Sequence, residues 1–286
     1  MTPVGQRSRR AFAATIVTAV IVGGSISAQG ADGPSTIVGL AGGQAFEPAE
    51  RTTPPESDPD DVASFSDDFD GTGPLIGYTT TNAEVLPTVG RVDGRYRAEL
   101  TDNADDKTLH YHDAQGRLDA VPATFPFVYI ARNVGIGTLA DSQVAPDPPG
   151  AAYIFAGVQV HSADLDAADS AHVVVGHRGG TQFTIEGKNT VAGHSRVDDI
   201  GAGTAPAGRA DIRIVGNADR TLTVYWQTPN LDGGADDWQL YRGTGNLPGP
   251  TAAFGPTVYV GLITYAFGSA GLPFVGTADS VHLDRS

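Results

Sequence analysis

Apolar and polar residues alternate in short stretches over positions 64–286 of the chain. Alternation with a period of two places successive side chains on opposite faces of a β-strand. Clusters of Gly, Pro, Asn and Asp, which turns favour, separate these stretches. No segment of comparable length has the 3.6-residue period of an amphipathic helix. The pattern therefore predicts an all-β fold, with strands within the following stretches: 153–161, 172–177, 182–186, 222–227, 258–267 and 281–283.

The predicted strands continue over about 220 residues, which is too long for one immunoglobulin-type unit. A jelly-roll sandwich of two larger antiparallel sheets accommodates this length. Within it, Val224 and Val260 are predicted to point into the core. Trp226 is predicted to be buried, because alternation places it on the same face as Val224.

The first 63 residues differ from the rest of the chain in composition and in the pattern of apolar residues. Residues 1–28 carry three arginines, then the apolar run 11–23, then small residues, which is the organisation of a signal peptide. Paired arginines also resemble the twin-arginine export motif, so both export routes stay open. Residues 29–63 are rich in Gly, Pro and acids, and this composition predicts a flexible linker. We expect a secreted, extracellular protein whose folded domain covers residues 64–286.

Charge and cysteine content exclude several classes of function. The chain has no cysteine, so disulfides and thiolate metal sites are ruled out. Its formal net charge of −15 repels nucleic-acid phosphates and anionic lipids. No segment after the signal is apolar enough to cross a membrane. We therefore expect neither a nucleic-acid partner nor a membrane span in the mature protein.

Both ends of the predicted domain resemble a known superfamily. The opening residues 65–71, Phe-Ser-Asp-Asp-Phe-Asp-Gly, resemble the first strand of concanavalin A-like lectin/glucanase domains, including laminin-G-like jelly rolls. Residues 258–262 and 278–283 resemble the last two strands, and 155–160 suits a middle strand. The resemblance implies a jelly roll of two antiparallel sheets. It leaves activity open, because the superfamily contains sugar-binding modules, glycoside hydrolases, polysaccharide lyases and protein-binding modules.

A glycoside hydrolase of this type would need two carboxyl groups on one strand face. The predicted domain has three glutamates, Glu84, Glu99 and Glu186, and none has an acid two residues away. The hydrolase interpretation therefore loses its main support, although an Asp pair remains open.

A lyase interpretation rests on three short motifs. Residues 97–100, Arg-Ala-Glu-Leu, and residues 159–161, Gln-Val-His, resemble two motifs of jelly-roll alginate lyases. Two tyrosines have the spacing of a third motif, although Leu262 and Ile263 do not match its Lys-x-Gly part. The resemblance implies that an arginine and a glutamine neutralise a uronate carboxylate while a histidine or tyrosine transfers the proton. The residues concerned are Arg97, Gln159, His161, Tyr259 and Tyr265.

A binding interpretation rests on aromatic side chains, on which sugar rings stack their C–H faces. A hairpin with its turn at residues 230–237 is predicted to present several of them. The candidate ligand-binding residues are Tyr153, His161, Tyr225, Trp238 and Tyr241.

Calcium is the one cofactor that the pattern of acids suggests. Asp68 and Asp70 lie near the first predicted strand and Asp279 lies on the last, and these strands are commonly close in this architecture. Calcium binds carboxylates and carbonyl oxygens. Asp232, Asp236 and Asp237 in the hairpin turn are a second possibility, which turn preferences explain equally well.

The preferred interpretation is a secreted, non-catalytic carbohydrate-binding or surface-interaction module of the concanavalin A-like type. The alternative is a secreted carbohydrate-active enzyme, with polysaccharide lyase preferred over glycoside hydrolase. A structural or protein-binding module also remains open. The expected partner is a glycan or another extracellular surface ligand.

Overall fold

A computed structural model describes residues 64–83, 88–100, 116–140, 153–178, 182–201, 203–267 and 274–285. The predicted signal peptide and linker, residues 1–28 and 29–63, lie outside the described residues. Short turns connect many of the strands, and a 3₁₀ turn lies at Tyr241–Gly243. The strands are β1 Phe65–Asp67, β2 Thr79–Thr81, β3 Thr88–Arg91, β4 Tyr96–Leu100, β5 Arg117–Thr124, β6 Phe127–Ile136, β7 Tyr153–Ser162, β8 Ser170–Arg178, β9 Phe183–Val191, β10 His194–Asp199, β11 Arg209–Gly216, β12 Leu222–Gln227, β13 Gln239–Leu240, β14 Thr257–Phe267, β15 Phe274–Ala278 and β16 Ser280–Arg285.

The strands form two antiparallel sheets. Sheet A has nine strands, in the order β13-β12-β11-β6-β15-β4-β3, with β16 also paired to β6 and β1 paired to β16. Sheet B has seven, in the order β10-β9-β8-β7-β14-β5-β2. This arrangement confirms the predicted fold class, an all-β jelly-roll sandwich of two antiparallel sheets. Within the described residues, no helix is long and apolar enough to cross a membrane.

The core lies between the sheets, and alternation along each strand determines which side chains enter it. Val158 and Val260 of sheet B and Val224 of sheet A are fully buried, so the predicted orientation of Val224 and Val260 is confirmed. Trp226 packs against this core but is only half-buried. The prediction of burial was too strong because its neighbour β13, at the sheet edge, is just two residues long.

A polar contact also links the two sheets through the core. Asp119 of β5 has no exposed surface and accepts a 2.8 Å hydrogen bond from the hydroxyl of Tyr96 on β4. Arg117 and Thr80 donate to the same carboxylate at 2.9 and 2.6 Å. Burial raises the pKa of Tyr96 well above its ordinary value. The buried carboxylate of Asp119 and the buried hydroxyl of Tyr96 are therefore both paired, as burial requires.

Candidate functional site

The outer face of sheet B, turned away from sheet A, carries a row of polar side chains. Val158 and Val160 of β7 enter the core, so Gln159 between them points to the outer face. The strand register places Gln159 opposite His172 of β8, and His172 opposite Lys188 of β9. We call Gln159, His172 and Lys188 the central row. All three are at most 1% exposed.

Two members of the central row have polar atoms without hydrogen bonds. In the part of the chain that the structure describes, neither the amide nitrogen nor the amide oxygen of Gln159 has a partner. The same holds for Nε2 of His172. Leaving a buried polar group unpaired costs about 1–3 kcal/mol. Native proteins rarely retain such groups without a reason, and a ligand that completes the hydrogen bonds is one such reason.

A titratable cluster adjoins the central row. The hydroxyl of Tyr265 on β14 donates a 2.7 Å hydrogen bond to Oε1 of Glu186 on β9. Nε of Arg178 lies 3.4 Å from the other oxygen of Glu186. Burial raises the pKa of Glu186 to about 7. The face therefore carries a carboxyl group that exchanges its proton near neutral pH.

The ring of Tyr265 is held between two others. It stacks on Phe155 with the ring centroids 5.3 Å apart, and the His172 ring lies 5.6 Å away on a tilted plane. Burial, together with the charge of Lys188, lowers the pKa of His172 well below its ordinary value. His172 is therefore a neutral imidazole at physiological pH, able to donate or accept a hydrogen bond.

The residues of the lyase interpretation do not form one site. Gln159 and His161 lie on the outer face of sheet B, and Tyr259 is the cross-strand partner of His161. Tyr265 lies on the same face through its contact with Glu186. Arg97, however, is on β4 of sheet A, where it forms a 3.1 Å ion pair with Glu99. The expected grouping of Arg97 with the other four is incorrect, since β4 pairs with β3 and β15 in the opposite sheet.

The five aromatic candidates are divided among three places. Tyr153 and His161 are on β7 of sheet B, whereas Tyr225 and Trp238 belong to the β12–β13 region of sheet A. The predicted hairpin does form, through the pairs of β12 with β13. Tyr241 is fully buried and donates a 2.6 Å hydrogen bond to Asp198. Its expected role in a surface platform is incorrect, because the 3₁₀ turn directs its side chain into the protein.

The aromatic rings of sheet A are already occupied by arginines. The guanidinium of Arg213 lies 5.3 Å from the ring centre of Tyr225. That of Arg132 lies 5.1 Å from the ring centre of Trp238. Each such cation–π contact covers one face of the ring and leaves at most the other face for a sugar to stack on.

The carboxylates expected to bind calcium have contacts of their own in the described structure, and calcium binding by them stays a prediction. Oδ2 of Asp279 accepts a 2.7 Å hydrogen bond from Asn133, and Oδ1 forms a 2.9 Å ion pair with Arg95. Oδ2 therefore has a hydrogen-bond donor, whereas Oδ1 has the Arg95 charge beside it but no hydrogen bond within the described residues. Asp68 and Asp70 are exposed, and the backbone N–H of Asp70 donates to Asp68. Within the described residues, no three His, Asp or Glu side chains are grouped as metal ligands.

A polar cavity of about 460 Å³ lies beside the 230–237 turn of sheet A, and two of its acids, Asp211 and Asp236, are hydrogen-bonded within the protein. Asp211 is buried and accepts hydrogen bonds from Arg132, Gln227 and two backbone N–H groups. Asp236 receives two hydrogen bonds from Arg132, at 2.7 and 2.9 Å, and one from the indole of Trp238. The hydrogen bonds from Arg132 lower the pKa of Asp236. This network fastens the turn to the sheet.

The interpretation from sequence missed His172, Glu186 and Lys188 as members of one site. A signal was present, since Glu186 and Lys188 alternate with small or apolar residues along β9. Acids two residues apart on one strand do not reveal this cluster, because its members are neighbours across strands. Asp199 of β10, for example, is directly opposite Glu186.

Comparison with known proteins adds a likeness of fold. No protein-family profile and no curated protein matches the chain. A GH43 protein from Bacillus licheniformis aligns with a TM-score of 0.49 and 13% identity, over 77% of this chain and 39% of that one. A pseudo β-1,3-glucanase of Mycobacterium tuberculosis, described as an immunostimulatory antigen, aligns with a TM-score of 0.45 and 15% identity, over 78% and 98%. A β-glucanase of Bacillus licheniformis aligns with a TM-score of 0.42 and 10% identity, over 78% and 99%.

These similarities concern the fold alone. The chain spans about two fifths of the length of the GH43 protein and of a xylan β-1,4-xylosidase from Bacillus halodurans, 39% and 40% respectively. At such low identity a shared fold does not transfer an activity.

Proposed function

We propose that the protein is a secreted carbohydrate-binding module whose outer face of sheet B receives the ligand without cleaving it. The observation that carries this proposal is the buried side chain of Gln159, with neither amide atom hydrogen-bonded within the described residues. A primary amide offers two donors and one acceptor oxygen. Sugar hydroxyls complement both, and a site built to bind hydroxyls recognises them specifically.

The neighbours of Gln159 favour a neutral glycan. His172, directly opposite, is an uncharged imidazole with an unpartnered Nε2 in the described structure. Tyr259 is half-buried on the same face and offers a ring for C–H stacking. The net charge of −15 repels a polyuronate at long range. Uncharged polysaccharides are therefore the preferred ligands.

The test is binding of the mature protein to soluble neutral polysaccharides, with β-glucan and xylan as probes, measured by calorimetry and retardation in gels. Gln159→Leu keeps the side-chain size and removes the amide, so it should weaken binding at least tenfold. Gln239→Leu, on exposed β13 of sheet A, is the matched control and should bind normally. Equal binding by Gln159→Leu and the control would refute the proposal.

A catalytic role is the second candidate, favoured by the Glu186 carboxyl with its pKa of about 7. A general acid–base group works best with a pKa near the working pH. Asp199 supplies a second carboxyl opposite it, and Nη1 of Arg178 donates to Asp199 at 2.6 Å while its Nε contacts Glu186. Glycoside hydrolysis uses such a pair.

Assays of the same polysaccharides for new reducing ends and for unsaturated products distinguish the two candidates. A catalytic face would release products, and Glu186→Gln would abolish their release while preserving binding. A binding module would release none at any protein concentration. Retention of binding without products therefore supports the first candidate.

A further inference from the structure

A serine, a histidine and an aspartate meet on the outer face of sheet A, away from the central row. Oγ of Ser66 on β1 lies 2.5 Å from Nδ1 of His282 on β16. Nε2 of the same ring lies 2.8 Å from Oδ2 of Asp284. We call these three residues the β1–β16 triad. None of them takes part in the proposed glycan site.

The backbone register itself creates this arrangement. Ser66 and His282 are directly opposite each other in the antiparallel pair of β1 and β16. Asp284 is two residues beyond His282 on the same strand, so both side chains point to the same face. Leu283 between them is buried in the core, which fixes that face as the outer one. The contacts therefore follow from strand pairing.

The contacts of the His282 ring indicate which nitrogen carries the proton. Nε2 of His282 lies 2.8 Å from Oδ2 of Asp284, and a carboxylate oxygen offers no proton of its own, so we assign the proton to Nε2. Nδ1 is then the acceptor, and the Ser66 hydroxyl donates to it. A serine becomes nucleophilic towards a carbonyl when its hydroxyl is hydrogen-bonded to a base and a carboxylate orients that base.

The triad is accessible to a substrate. Ser66 is exposed, and its strand β1 has β16 as its one partner among the described strands. His282 and Asp284 are 47% and 53% exposed. On the other side of β16, Ile130 and Val128 of β6 are opposite His282 and Asp284 and are half-buried. They provide an apolar surface beside His282 and Asp284, across β16 from the serine, along which a short acyl chain can lie.

We propose that Ser66 is an activated nucleophile that accepts the acyl group of a carboxylic ester. Its oxygen attacks the carbonyl carbon while Nδ1 of His282 takes the hydroxyl proton, and Asp284 stabilises the imidazolium. The C–O bond to the leaving alcohol then breaks, and the alcohol departs with the proton from His282. Water, deprotonated by His282, attacks acyl-Ser66 and releases the carboxylic acid, which regenerates the serine. Ser66 and His282 are the catalytic residues, and Asp284 is a positioning residue.

The test uses p-nitrophenyl acetate with the full mature protein, measuring nitrophenol release and the acetylated residue by peptide mass spectrometry. We expect acetyl on Ser66 and a release rate that falls at least tenfold in Ser66→Ala and in His282→Gln. Ser280→Ala, a serine on β16 opposite Arg132, is the matched control and should react like the unmodified protein. Thermal melting of each variant verifies that it is folded.

Asp284→Asn should slow the reaction and change its pH profile while acetylation stays on Ser66, and Asp284→Glu should restore part of the rate. Acetyl on lysines or directly on His282, with full release in Ser66→Ala, would overturn the proposal. So would an unchanged rate in His282→Gln. Neither result bears on glycan binding by sheet B, because the two sites share no residue.

Discussion

The hydroxyl of Tyr265 donates a 2.7 Å hydrogen bond to Glu186 although β7 and β8 lie between their two strands. The tyrosine side chain therefore crosses the outer face of sheet B beside the central row. This contact lowers the pKa of Glu186, but burial outweighs it and leaves the pKa at about 7. Glu186 is thus protonated more readily in the folded protein than in the unfolded chain.

This raised pKa makes stability depend on pH in a defined direction. Folding favours the protonated form of Glu186, so the free energy of unfolding falls as pH rises from 4.5 towards 7 and the carboxyl group ionises. The raised pKa corresponds to a loss of about 3 kcal/mol in the free energy of unfolding at neutral pH and above. Glu186→Gln should remove this part of the pH dependence and be more stable than the unmodified protein at pH 8. Urea unfolding of both proteins between pH 4 and pH 8 measures the difference in the free energy of unfolding.

Glu99→Gln is the control for that experiment. Glu99 is partly exposed and pairs with Arg97 on sheet A. A surface ion pair contributes about 0–1 kcal/mol. The control should therefore follow the pH profile of the unmodified protein. Identical profiles for both variants and the parent would mean that Glu186 is not buried as described.

Gln159→Leu should increase the free energy of unfolding by about 1–3 kcal/mol. The leucine fills a similar volume and removes the cost of an unpaired, buried amide. Binding and stability then change in opposite directions, as expected where a functional residue is retained at a cost to the fold. Chemical denaturation without ligand measures the change, and a marked loss of stability would show that the amide has a structural partner.

Gly187→Ala should destabilise the sandwich by about 1–3 kcal/mol. A Cβ at Gly187 would lie 2.6 Å from Cζ of Tyr241 and 2.7 Å from Cδ2 of Leu247, and Tyr241 is fully buried. Gly234→Ala is the matched control, since its nearest neighbour, Oδ1 of Asn230, is 3.9 Å away. The two melting temperatures should differ by several degrees. Equal values would contradict the close packing of Tyr241 on β9.

Arg132→Gln should loosen the 230–237 turn and lower stability by about 1 kcal/mol at neutral pH. Arg132 holds the pKa of Asp236 below its ordinary value. A lowered carboxyl pKa contributes stability above the usual value near 3.8, and that contribution is lost as pH falls further. The difference between variant and parent should therefore shrink below pH 3. Proteolysis of the turn at pH 7, with Arg220→Gln as control, provides a second measurement.

The sequence by itself determined the fold class and much of the core. The burial of Val224 and Val260 follows from a local rule, since neighbouring side chains on a strand point to opposite faces. The same rule identifies Gln159 as a polar residue between Val158 and Val160. None of this requires knowledge of which strands are neighbours.

The tertiary structure decided which residues form each site. Tyr265 and Glu186 are 79 residues apart, and Ser66 and His282 are 216 apart. Arg97, expected beside Gln159, belongs to the other sheet because β4 pairs with β3 and β15. The alternation of side chains along a strand is set by the backbone of that strand. The order and register of strands are set by hydrogen bonds between distant segments, whose pairing no local pattern of residues specifies.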